Sequence, residues 1–211
     1  MWGDIIIYLT VYSFLTLWRC FFVQKNNVKT TWTIQKLVFM ALLVAMHLVL
    51  TRVLVLDLGA YRISLGSIAT ILSGLWLGPA AGAICGLAAD LLGCFMKGYA
   101  INPLITIAAM LWGIIPGLAR VLLVNKTKVY KTVVICIAVF FTSVCSSLIF
   151  TTLGLVLFNG YNLFAILPGR VVQFVMLVPI YCVVTCIMYF SPITTMIADT
   201  LKIQVLKNKV V

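Results

Sequence analysis

No Lys, Arg, Asp or Glu occurs from Leu37 to Thr51, from Leu104 to Ala119, from Thr132 to Phe158 or from Val171 to Phe190. A helix needs about 20 apolar residues to cross the roughly 30 Å hydrocarbon layer of a bilayer. In lipid a chain must satisfy its own backbone groups, which leaves helices and closed barrels. Uninterrupted runs of this length predict helices, so the chain reads as an all-α integral membrane protein. Its 64% hydrophobic and 9% charged residues exceed what a soluble fold of 211 residues can cover.

Charge and turn residues divide the chain into three parts. Residues 1–35 hold an extra N-terminal apolar segment, Ile5–Phe22, and a basic linker, "QKNNVKTTWTIQK". The segment opens "MWGD", with no basic region and no small-residue cleavage site, so it does not read as a signal peptide. It is taken as an additional membrane span, an interfacial helix being the alternative. Residues 36–190 carry six predicted helices, Leu37–Leu56, Ser67–Leu77, Ala80–Met96, Leu104–Val124, Thr132–Phe158 and Phe164–Phe190. The breaks between them are "DLGAYRISLG", "GP", "KGYAINP", "NKTKVYK" and "NGYN". Residues 191–211 form a basic tail.

Fifteen Lys and Arg face four Asp and no Glu. Lys25, Lys29 and Lys36, then Arg120, Lys126, Lys128 and Lys131, then Lys202, Lys207 and Lys209 fall on alternate connections, hence on one side. The positive-inside rule makes that side cytoplasmic. The expectation is a multi-pass cell-membrane protein whose linker and C-terminus are cytoplasmic and whose surplus charge meets anionic lipid rather than nucleic acid.

Arg52, Arg62, Lys97 and Arg170 break this pattern, mapping to the opposite ends of helices or to outer loops. Tyr61, Ser64, Tyr99, Asn102, Asn159, Tyr161 and Asn162 gather at the same level. Cations, amides and aromatics together suit a flat, hydrogen-bonding, acidic ligand. Enzyme chemistry lacks its parts. No GxxxxGK[ST] phosphate loop is present, four scattered Asp supply no metal site, and His47 in "AMHLVL" reads as a hydrogen-bonded intramembrane residue. The seven cysteines read as small apolar residues. No cofactor or metal is expected.

Gly78, Gly82, Gly86 and Asp90 recur every fourth residue, a spacing that stacks them on one helix face. The glycines are expected to form a packing groove, and Asp90 to support the outer loops by pairing with Arg52 or Arg62.

Four segments, "KLVFMALLVAMHLVLTRVL", "YRISLGSIATILSGLWLGPAAGAICGLAADLLG", "NPLITIAAMLWGIIPGL" and "LPGRVVQFVMLVPI", resemble in order the substrate-binding S component of folate-family energy-coupling-factor (ECF) transporters. The resemblance implies a six-helix membrane subunit that captures folate or a related pterin from outside. It also implies partners, a membrane coupling subunit and two ATPase subunits, and delivery by toppling of the S component. The family docks through an Ala-x-x-x-Ala pattern, matched by Ala41 and Ala45, and its helix-one Arg falls on Arg52. Arg52, Arg62, Lys97, Tyr99, Asn102, Tyr161 and Arg170 are the expected ligand residues. Two segments depart from the family's pattern: "FMKGYAINPLIT" replaces an aromatic, Pro-rich stretch, and "LIFTTLG" lacks Ile-Asn-Thr. The competing readings are a proton-coupled secondary carrier using Asp90 and an S component for a different vitamin. No internal repeat between residues 37–96 and 104–190 supports the carrier.

Overall fold

The computed structural model describes residues 34–52, 56–57, 62–98, 100–124, 126–160 and 162–200. The expectation for Ile5–Phe22 lies outside them. The chain divides between Thr33 and Ile34, and the second unit is a helical bundle.

Helix α1 (Ile34–Arg52) leads to a two-residue antiparallel pair, β1 (Leu56–Asp57) with β2 (Arg62–Ile63), within the expected turn-rich loop. Then come α2 (Ser67–Leu77), α3 (Pro79–Lys97) and α4 (Pro103–Leu122). Helix α5 (Lys128–Ser143) runs through a π-helical stretch, Val144–Thr151, into α6 (Thr152–Asn159). Helix α7 (Leu163–Phe190) and a short α8 (Pro192–Thr200) follow. Five helical stretches among the described residues, counting Lys128–Phe158 as one, are long and apolar enough to span a membrane. The boundaries match the sequence reading within a few residues, and Gly66, Gly78, Gly98, Asn102, Gly160 and Asn162 stand at helix ends as terminus signals.

Helix α2 is different. It rises only about 16 Å, and every residue from Ile68 to Leu77 is buried. An all-apolar helix of this length belongs inside a bundle rather than against lipid. It forms the centre, with Ile71, Leu72 and Leu75 fully buried and Trp76 beside them. The long helices surround it and turn large apolar side chains outward, Phe95 at 88% exposure and Phe164 at 83%. That outward face is lipid-matched.

Small residues allow this closeness. A Cβ on Gly74 would stand 2.2 Å from the Gly113 carbonyl oxygen, and one on Gly82 2.7 Å from the same atom. A Cβ on Gly86 would stand 2.2 Å from the Ala109 oxygen, and one on Gly117 2.5 Å from the Pro79 Cα. Helices α2, α3 and α4 therefore meet backbone to backbone. Gly82 and Gly86 form the expected groove, but Gly78 does not belong to it. Gly78 has φ +98 and makes the turn between α2 and α3, a left-handed conformation that side chains disfavour.

The expected basic tail begins as a packed helix. Thr194 and Ile197 of α8 are buried, and Trp76 Nε1 donates to Thr194 Oγ1 at 3.1 Å.

Candidate functional site

A cavity of about 170 Å³ lies among α2, α4, the π-helical stretch and α7. Along α7 its lining runs from Arg170 through Gln173, Phe174 and Leu177 to Tyr181, roughly 16 Å by helical rise. The opposite walls are Ser64 and Ser67 at the start of α2, Trp112 in α4, and Ser143, Ser147 and Thr151. These last three follow a four-residue spacing that keeps them on one face of the long span Lys128–Phe158.

The two ends of the cavity differ. At one end Arg170 is the cation among the described lining residues, partly buried, with Nη1 3.5 Å from Gln173 Oε1. At the other, Trp112 and Tyr181 meet edge to face at 5.3 Å between ring centres. Tyr181 donates its hydroxyl to the Ser64 carbonyl at 2.8 Å, fastening the segment before α2 to the middle of α7. Phe174 is held from outside by Phe140 at 5.5 Å.

The hydroxyls along the wall have defined polarity. Ser143 donates to the Val139 carbonyl at 2.8 Å, and Thr151 donates five residues back to the Ser146 carbonyl at 2.8 Å. A hydroxyl whose proton is committed to the main chain keeps its lone pairs. This wall therefore offers acceptors, matched to a ligand edge rich in N–H groups. Ser146 is turned away and ties the stretch to α4 by donating to the Ala108 carbonyl at 2.7 Å.

Of the residues expected from sequence to bind ligand, Arg170 lines the cavity. Lys97 stands exposed at the end of α3 and is not part of the lining. Tyr99 and Tyr161 lie outside the described residues. Arg52 ends α1 and Arg62 sits opposite Asp57 in the strand pair, but their side chains are likewise outside. So is the pairing expected between either of them and Asp90. Asp90 has another partner: Thr106 donates to its Oδ2 at 2.7 Å, linking α3 to α4.

Asn102 is committed to structure. Its Oδ1 accepts from the Leu104 amide at 3.1 Å, capping α4, and its Nδ2 donates to the Gly154 carbonyl at 2.8 Å, tying α4 to α6. Asn102→Ala removes both bonds from a buried site. It is expected to destabilise the protein by about 2 kcal/mol, a cap plus a buried carbonyl left unmade. The check is a lower midpoint of thermal unfolding in detergent, with ligand affinity little changed once saturating ligand restores the fold. His47 behaves as expected, with Nδ1 2.8 Å from Thr70 Oγ1.

Ala41 and Ala45 lie together on the exposed face of α1, while Met40, Leu43 and Val44 face the core. The family model for the ECF transporter substrate-specific component matches residues 35–189. The chain belongs to that family. This S component is 29% identical over 150 residues to the folate transporter FolT of Clostridium novyi (strain NT), covering 70% of this chain and 84% of the relative. It also superposes on a crystal structure of FolT bound with folic acid with a TM-score of 0.62 and 27% identity, covering 74% of this chain and 93% of that one. It is a multi-pass membrane protein of a transporter family.

Ser64, one of the polar residues gathered at the outer level, lines the cavity of the S component, whereas Ser67, Trp112, Gln173, Phe174 and Tyr181 carry no mark in the sequence. A further signal existed for the Ser143–Ser147–Thr151 stripe, whose spacing marks one polar face on an otherwise apolar span.

Proposed function

We propose that this S component captures folate or a related pterin and passes it to an ATP-driven coupling module. The observation that carries this reading is the cavity's two-ended chemistry. Arg170 stands at one end and the Trp112–Tyr181 pair at the other, with the hydroxyls of Ser143, Ser147 and Thr151 along the wall between them. A pterin presents a flat ring with an N–H-rich edge, and folate adds a glutamate tail with two carboxylates. The ring fits the aromatic end, its donors meeting the hydroxyls of Ser143, Ser147 and Thr151. The carboxylates fit Arg170, whose planar fork recognises them. Arg52, Arg62, Lys97, Tyr99 and Tyr161 are then loop or helix-end residues that draw the anion in, while Asn102 and Asp90 support the site.

Residues 36–190 form the binding unit in this reading. The linker before it and the tail after it are cytoplasmic, as the distribution of Lys and Arg supports, and the cavity opens outward across the cell membrane. Ala41 and Ala45, exposed and small, let a coupling-subunit helix approach closely. The subunit carries no catalysis. Two partner ATPases supply the energy.

The purified chain, without nucleotide, should show saturable quenching of tryptophan fluorescence on titration with folate. Riboflavin and biotin at the same concentrations should leave no saturable signal. Trp112→Phe should retain binding by calorimetry while losing most of the quench. Absence of any response to folate and to pterins by both methods would overturn the proposal.

A further inference from the structure

The Tyr181 hydroxyl is committed to the start of α2. It donates to the Ser64 carbonyl at 2.8 Å, and the Ser67 side chain hydrogen-bonds to it. Ser64 and Ser67 both line the cavity. One buried oxygen on α7 therefore holds two residues of the facing wall.

The start of α2 has weak fastenings of its own. Its N-cap residue, Gly66, makes no side-chain cap bond. The Ser64 hydroxyl accepts from the Gly66 amide only at 3.4 Å, beyond the usual range for such a bond. Before it stands the β1–β2 pair, with two residues in each strand, and so short a hairpin is not stable by itself. Helix α1 closes one side of the turn, since a Cβ on Gly66 would stand 2.9 Å from the His47 carbonyl oxygen. Helix α7 holds the other side through Tyr181. The ring of Tyr181 is fixed in turn by its edge-to-face contact with Trp112, so the hydroxyl is presented at a set height.

We infer, on the capture function proposed above, that Tyr181 is a positioning residue: its hydroxyl holds the Ser64–Ser67 wall against bound folate and so sets how long the ligand stays. A wall that can retreat from its ligand releases it sooner. Entry does not depend on this bond, whereas departure requires the wall to give way, so the effect falls on dissociation, where most changes at a binding site are read.

The test compares wild type, Tyr181→Phe and Tyr189→Phe in detergent, by stopped-flow tryptophan fluorescence with folate. Tyr181→Phe keeps the ring that meets Trp112, so the quench persists while the hydroxyl is gone. Its folate dissociation rate should rise about tenfold, the loss of one hydrogen bond, with the association rate unchanged. Tyr189→Phe removes the hydroxyl of another buried tyrosine further along α7 and should match wild type in both rates. Hydrogen exchange gives a second reading. Folate should slow exchange of residues 62–70 in the wild type, and Tyr181→Phe should exchange faster there. If Tyr181→Phe does not elute as a monodisperse protein, wild-type exchange decides. A dissociation rate for Tyr181→Phe equal to wild type, or one raised equally in Tyr189→Phe, would overturn the positioning role and leave folate capture intact. So would wild-type exchange at residues 62–70 that folate does not slow. A wild type without any response to folate would instead overturn the capture function, and the positioning role with it.

Discussion

Arg170→Ala should weaken folate binding by about 100-fold, because truncating one member of a partly buried charge pair costs several kcal/mol. The site makes this residue hard to replace. Arg170 follows Pro168 by two positions on α7 and, among the described residues, is held by one long contact, 3.5 Å to Gln173. Its guanidinium lines the cavity, where a ligand can meet it. Among the described residues no second cation lines the cavity, so nearby charge cannot take over the role. Arg170→Lys should recover only part of the loss, since an ammonium keeps the charge but not the two-pronged geometry. Calorimetric titration of both variants decides the matter. Affinities equal to wild type would place the glutamate tail elsewhere. The Gln173→Ala variant should show a smaller loss, as it removes an orienting neighbour rather than the charge.

Gly113→Leu should prevent the bundle from forming. Gly113 sits where three helices touch, and a Cβ there would stand 2.2 Å from the Gly82 carbonyl oxygen. The obstructing atoms are backbone, so no rotamer change relieves the clash. Even Gly113→Ala must push α3 away from α4, and overpacking of this kind costs about 3 kcal/mol or more. Thermal unfolding of Gly113→Ala, followed by loss of monodisperse elution, should show a large fall in midpoint, and Gly113→Leu should yield no monodisperse protein. Ile84→Leu, on the exposed face of α3, provides a neutral comparison. A well-behaved Gly113→Leu protein would mean that α3 and α4 do not pack as described.

Much of this architecture is legible in sequence. Charge-free runs mark the spans, and Gly, Pro and Asn mark their ends. The Gly82–Gly86 spacing announces a close helix contact, since only small residues permit one. Gly78 shows the limit of such periodicity: it shares the four-residue spacing yet belongs to a turn, and only its backbone conformation distinguishes the two. Arg170 could be found because a cation deep in an apolar run is costly and therefore conspicuous. The hydroxyl wall could not be found the same way. Serine and threonine in apolar helices commonly bond back to their own main chain, as Ser143 and Thr142 do, so their presence alone does not mark a cavity. Asn102 has a structural role that composition alone does not disclose. Its side chain suits a binding site, and its place directly before Pro103 also suits a cap, which it forms. The pairing of Asp90 with Thr106 joins neighbouring helices through a neutral hydroxyl, whereas charge alone pointed to the arginines.

The π-helical stretch from Val144 to Thr151 has a consequence for how such a subunit diversifies. A π-helical segment accommodates an extra residue without breaking the helix. Loss or gain of one residue there would turn everything from Thr152 to Asn159 by about 100°, while Lys128 to Ser143 kept its place against the core. An insertion or deletion early in the stretch would turn Ser147 and Thr151 as well, so part of one cavity wall can be rephased by a single codon with the glycine-packed centre untouched. The departure at "LIFTTLG" overlaps this stretch. Changes in ligand preference within such a lineage can proceed by shifts in chain length as well as by substitution, and the bundle that carries them need not be rebuilt.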